Sequence, residues 1–243
     1  MTGRLKTKAF WLTALWCLLG AGAASAEVGL LDVKISEVSV RGVKGVRVVP
    51  ATGGEALVEP NGQPLFDQSP CTVAYQVKPM PGGFDVAAAV TNPAKQPQKR
   101  PRFMLRGVRL GAKFTYLDAR SLGHTHPREV KRGQPIFWYG MTYPDDLYSP
   151  VVMMHNDRFA IGVSLIYDLL KERHHVRGQC YTEGGQWFGT AGIGFNLHVD
   201  TPKHRNPQGR VLIEPGATQR YRLTVRFAAP KDWLATLEPY RQH

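Results

Sequence analysis

Two histidines, His124 and His126, stand at i and i+2, which puts both imidazoles on one face of an extended chain. With Asp145 or Asp146 they could hold a metal ion, although ligation needs three or four groups that converge in space. Pro127 follows and the surroundings are loop-like, so a surface loop is the competing reading. The second constellation is aromatic. Phe137, Trp138, Tyr139, Tyr143 and Tyr148 lie close together, with Trp187 and Phe188 further on. Exposed rings beside polar groups are the ingredients of a sugar site, an apolar plane with hydrogen-bonding partners at its rim. Core filling is the alternative. Alternation puts Trp138 on one face of a strand and Tyr139 on the other, so each face carries a ring. The candidate carbohydrate contacts are Trp138, Tyr139, Tyr143, Asp145, Tyr148 and Trp187.

Catalytic groups are harder to assemble. A sugar acid–base pair needs both members within hydrogen-bond reach of the substrate. Glu129, Glu172, Glu183 and Glu214, with His124, His126 and His198, supply the types but no defining spacing, and no catalytic residue is assigned. The glycines from Gly184 to Gly194 lack the strand–GxGxxG–helix or P-loop context that cradles phosphate. Tight turns and bulges account for them better. Neither GxSxG nor HExxH occurs, and no cofactor is expected.

The elements that would position these residues are strands. Leu31, Val33 and Ile35 alternate with Asp32, Lys34 and Ser36. A hairpin is expected from Thr72–Val77 through Pro79–Gly83 to Phe84–Val90, because Pro and Gly suit the turn and the β-branched residues suit the strands. A second runs Val151–His155, Asn156-Asp157, Arg158–Tyr167. In Gln219–Phe227, the residues Tyr221, Leu223, Val225 and Phe227 share one face, and Arg220, Arg222, Thr224 and Arg226 share the other. That is a half-buried strand with a cationic outer face. Many short strands with Gly/Pro turns and little helix predict an all-β antiparallel sandwich. After Ala229 the pattern changes. Asp232 is a candidate cap for a short amphipathic piece with Trp233, Leu234 and Leu237 on one side, interrupted by Pro239.

Several segments together resemble a known family. Tyr143-Pro144-Asp145-Asp146-Leu147-Tyr148-Ser149-Pro150-Val151-Val152 leads into Phe159–Leu165; Gly192–Asn196, Leu212–Tyr221, Trp233-Leu234 and Glu238–Arg241 follow. Over roughly residues 70–240 the chain resembles the N-terminal β-sandwich, similar to the galactose-mutarotase-like supersandwich, that precedes a (β/α)8 barrel in secreted bacterial glycoside hydrolases. The resemblance implies a supersandwich-like fold and an exported, non-catalytic module associated with carbohydrate or with a neighbouring glycoside hydrolase domain. Two other functions remain open: a small carbohydrate-active enzyme such as an epimerase or lyase, and a basic envelope protein that binds acidic polymers.

The N-terminus bears on the compartment. Arg4, Lys6 and Lys8 precede an apolar run from Ala9 to Leu19 and the small residues Ala24-Ser25-Ala26. This is the pattern of a cleavable secretory signal, and the run is short for a membrane span. The expected organisation is a signal peptide over 1–26, a sandwich over 27–230, and a short helical tail or truncated linker over 231–243. The expected location is secreted or periplasmic, with no membrane span after cleavage. The net charge of the whole chain is +12, and cleavage removes three basic residues and no acid. The rest is spread along the chain without a nucleic-acid-binding motif, so no specific nucleic acid is expected. Cys71 and Cys180 remain. In an oxidising compartment they could form a disulfide, adding about 4–5 kcal/mol by closing a long loop; two separate buried thiols are the alternative.

Overall fold

A computed structural model describes residues 29–118, 128–131, 138–143, 147, 149–166, 175–182, 189–199 and 212–243. Its strands, in chain order, are β1 (Val33–Val40), β2 (Val43–Pro50), β3 (Phe66–Asp67), β4 (Thr72–Met80), β5 (Gly83–Thr91), β6 (Arg102–Arg109) and β7 (Lys113–Asp118). Then follow β8 (Arg128–Lys131), β9 (Trp138–Tyr143), β10 (Val151–His155), β11 (Ala160–Ile166), β12 (Val176–Thr182), β13 (Thr190–Asn196) and β14 (Thr218–Ala228). They form a seven-stranded sheet ordered β4-β5-β14-β11-β10-β7-β8 and a five-stranded sheet ordered β3-β6-β13-β12-β9. Every pairing is antiparallel. The β1–β2 hairpin reaches the smaller sheet through Val58, which bridges Val48 and Val108.

The core lies between the two sheets, as the alternation predicts. Tyr221, Leu223, Val225 and Phe227 face it from β14, with Ile161, Val163 and Leu165 from β11 beside them. Phe103, Leu105, Ile193, Phe195, Val176 and Cys180 come from the other sheet. Each fully buried large side chain contributes roughly 1.5–3 kcal/mol. This is the all-β sandwich expected from the sequence. The first hairpin is tighter than expected. Pro79 and Met80 belong to β4 and pair with Phe84 and Gly83, which leaves Pro81-Gly82 as the turn. Pro79 is tolerated because β4 is an edge strand, where a missing N–H breaks no ladder. The second hairpin closes on Asn156, whose side-chain oxygen accepts from the N–H groups of Arg158 and Phe159.

The two cysteines are free, buried thiols rather than the possible disulfide. The register explains why. Cys180 is buried and lies 3.1 Å from the Met154 sulfur in β10, whereas Cys71 precedes β4 and contacts the Lys99 carbonyl. Four strand spacings separate β4 from β10, about 19 Å from sheet geometry, and a disulfide spans Cα atoms no more than about 7 Å apart.

The tail is docked on the outer face of the seven-stranded sheet rather than on its edge. A 3-10 segment, Pro230–Leu237, precedes the short helix α1, Glu238–Arg241. Asp232 does not cap it: the segment starts at Ala229 with no side-chain cap, and Asp232 has non-helical torsions within it. Thr236 is fully buried, donates to the Trp233 carbonyl, and sits over Gly162 of β11. Trp233 and Leu237 are half-buried and Leu234 stays exposed. A Cβ at Gly162 would lie 2.6 Å from the Thr236 Cβ. Gly162→Ala should therefore overpack this contact and destabilise by about 1–3 kcal/mol, lowering the melting temperature by roughly 2–12 °C. An unchanged melting temperature would show that the tail does not press on the sheet.

Candidate functional site

A strand buried on one side must place every second residue on the other. On the five-stranded sheet that second set mixes polar side chains with glycines, Trp138 and the fully buried Met104. In one row, Arg177 of β12 pairs with Thr142 and Asn196, and Asn196 pairs with Arg102, which pairs with Asp67. In the next, Gln179 pairs with Gly140 and Gly194, and Gly194 pairs with Met104. In the third, Tyr181 pairs with Trp138 and Gly192. Arg106 completes this face because the β6–β13 register slips between Ala191 and Ile193. Gly107, at φ +73°, makes the slip possible: a Cβ there would collide with the Glu59 carbonyl, and a side chain is disfavoured at positive φ. The slip keeps Leu105 and Val108 in the core and lets Arg106 reach Tyr181 and Asp67.

These side chains form one connected array. Arg102 makes a two-pronged bond to Asp67, at 2.9 Å to each oxygen. Arg106 also bonds Asp67, donates to the Tyr181 hydroxyl at 2.6 Å, and donates to the Pro64 carbonyl at 3.0 Å. The Arg102 guanidinium stands 5.8 Å from the centre of the Tyr181 ring. Tyr181 lies across Gly192, where a Cβ would come within 2.8 Å of the ring. A glycine at 192 thus leaves room for the ring to lie flat on the sheet. Gln179 is 4% exposed, and its carbonyl oxygen has no hydrogen-bond partner among the described residues. At the Arg177–Asn196 end the face opens into a cavity of about 490 Å³ whose lining includes Gln68, Lys99, Arg100 and His198.

Burial by itself would raise the Asp67 carboxyl, but the hydrogen bonds and charges of Arg102 and Arg106 outweigh it and hold the group below the usual carboxylate range. Asp67 is therefore a fixed anion, the opposite of a general acid. Another cavity, about 580 Å³, lies on the outer face of the seven-stranded sheet over Ala74, Ala87 and Ala89, with Gln76 and Arg220 at its sides. Its rings, Tyr75 and Tyr221, sit on the core-facing parity, so its floor is mainly methyl groups.

The residues singled out from sequence fall differently. Tyr143 is a core residue, 8% exposed, with its hydroxyl near Tyr240, rather than an open sugar contact. Trp138 and Tyr139 are in β9, and Trp138 is in register with Tyr181; their side chains, like Asp145, Tyr148, Trp187, His124 and His126 as a whole, lie outside the described residues. Among the described residues no three His, Cys, Asp or Glu side chains converge as for a metal ion. Sequence reasoning missed Arg102, Arg106, Arg177, Gln179, Tyr181 and Asn196. The signal was present, since Arg177-Gly178-Gln179-Cys180-Tyr181 alternates polar and small or apolar residues.

The molecule is thus a two-layered antiparallel sandwich with a polar, arginine-rich array on the smaller sheet. No family model and no curated protein matches the sequence. Solved structures with a similar fold include an alpha-galactosidase from Lactobacillus brevis (14% identity, TM-score 0.45, 88% of this chain and 28% of that one). A protein assigned as an aldose 1-epimerase from Klebsiella pneumoniae subsp. pneumoniae is another (12%, 0.46, 86% and 57%). The Slr1438 protein from Synechocystis sp. PCC 6803 is a third (12%, 0.38, 65% and 55%). The chain spans 28–57% of the length of these proteins. The first two are the kinds of protein that the sequence resembles, but at these TM-scores the likeness carries no argument about activity.

The ion pairs of Asp67 set a pH dependence. Its folded pKa lies below the unfolded value of about 3.9, so its stabilisation is complete above that value and is lost as pH falls through the lower folded one. Asp67→Asn should cost about 1–3 kcal/mol at neutral pH, and the gap to the unmodified protein should shrink below about pH 4. Urea midpoints measured from pH 7 to pH 2.5 check this; a gap that widens on acidification would contradict it.

Proposed function

We propose that this chain is an exported, non-catalytic carbohydrate-binding sandwich, with the outer face of the five-stranded sheet as its sugar-binding surface. The observation that carries the reading is the array itself: a flat-lying, partly exposed Tyr181 ring with the partly exposed Arg102, Arg177 and Asn196 on the same face, braced from within by buried Arg106. A pyranose presents C–H groups on its faces and hydroxyls at its rim. A ring with guanidinium and amide groups beside it matches both. The non-catalytic part follows the family resemblance; on this face Asp67, which two arginines hold as an anion, is no general acid at neutral pH. Export rests on the basic, apolar and small-residue pattern of residues 1–26.

The test uses the exported protein, whose N-terminal sequence should begin at Glu27. Affinity electrophoresis through gels containing galactan or pectic polysaccharide should retard it, without release of reducing sugar. Tyr181→Ala should weaken retardation about tenfold, the equivalent of roughly 1.4 kcal/mol. Migration unaffected by any polysaccharide would overturn the reading.

A further inference from the structure

The geometry points to an acidic saccharide as the ligand, with its anionic group seated in the cavity at the Arg177–Asn196 end of the face; this inference rests on the sugar-binding reading above. The cavity of about 490 Å³ brings together Lys99, Arg100 and Arg177, with His198, Asn196 and Gln68. No carboxylate is among the described residues lining it. The Asp67 carboxylate on the adjoining face is already engaged by Arg102 and Arg106. The Nε of Arg177 is shut off from water and has no hydrogen-bond partner among the described residues. Leaving a charged donor unsatisfied is costly, so the guanidinium of this cavity-lining arginine is short of partners within the fold. A planar guanidinium suits a carboxylate, sulfate or phosphate oxygen pair, and exposed Lys99 adds a mobile positive charge at the rim.

Size and continuity separate a sugar from a bare ion. A small inorganic anion needs on the order of two waters' volume, ~60 Å³, a small part of this space. Gln68 offers an amide donor and acceptor, and Asn196, whose side-chain oxygen already accepts from the His198 N–H, offers its amide donor, together the complement of a hydroxyl. Asn196 and Arg177 also belong to the first row of the sheet face. A chain of sugars could therefore place one acidic group in the cavity and lay the next ring towards Tyr181.

Isothermal titration of the mature chain with oligogalacturonate, a sulfated galacto-oligosaccharide and the neutral galacto-oligosaccharide of equal length tests this, with inorganic phosphate as competitor. At least one acidic oligomer should bind about tenfold or more tightly than the neutral one, and the advantage should shrink as salt rises. Preference between the two acidic oligomers identifies the anionic group. Lys99→Met and Arg177→Gln should each reduce acidic binding about tenfold; Lys99 is exposed, so its replacement leaves folding intact. Equal affinity for acidic and neutral oligomers would overturn this inference and leave sugar binding standing. Binding of phosphate with no sugar bound would overturn both.

Discussion

The β6–β13 ladder slips by one residue at Arg106-Gly107, and much of the candidate face follows from that slip. A regular ladder would send Arg106 and Val108 to the same side, either stranding a guanidinium in the core or exposing a valine. With the bulge, Leu105 and Val108 both enter the core while Arg106 reaches Asp67 and Tyr181. The constraint comes from Gly107, whose positive φ and contact with the Glu59 carbonyl exclude any side chain. Bulges commonly re-aim a side chain beside a functional surface, and this one positions the central arginine of the array.

The two sheets handle outward charge by one device. Each carries an outer-face aspartate between two arginines: Asp67 with Arg102 and Arg106, and Asp85 with Arg222 and Arg226. Both aspartates are largely shielded, so a lone carboxylate at either place would be costly. The surroundings then differ. The seven-stranded sheet lies partly beneath the tail, with Thr236 over Gly162; the inner arginine of each cluster, Arg226 or Arg106, is almost fully buried on both sheets. The five-stranded sheet instead leaves Tyr181, Asn196 and Arg177 partly exposed, leading into the cationic cavity. Placement of the charges, rather than their number, distinguishes the two outer faces.

The framework was legible in the sequence where one physical rule acted alone. Alternation in Tyr221–Phe227 identified the core face of β14, and the Pro/Gly and Asn turns located two hairpins. Features set by distant partners were not legible. The separation of Cys71 from Cys180 depends on strand order, not on spacing. The tail's docking depends on a glycine in β11, far away in sequence. Tyr143 was misread because an aromatic on a strand looks the same whether it faces ligand or core. The polar array was half-visible: Arg177, Gln179 and Tyr181 share a parity, but only the sheet order brings Arg102, Arg106 and Asn196 beside them.

The central claim is that sugar binds on the smaller sheet. A crystal structure of the mature chain soaked with an acidic oligosaccharide tests it most directly. The account predicts a sugar ring against Tyr181 and an anionic group within hydrogen-bond distance of Arg177. Sugar seated instead over Ala74, Ala87 and Arg220, in the cavity on the seven-stranded sheet, would contradict it.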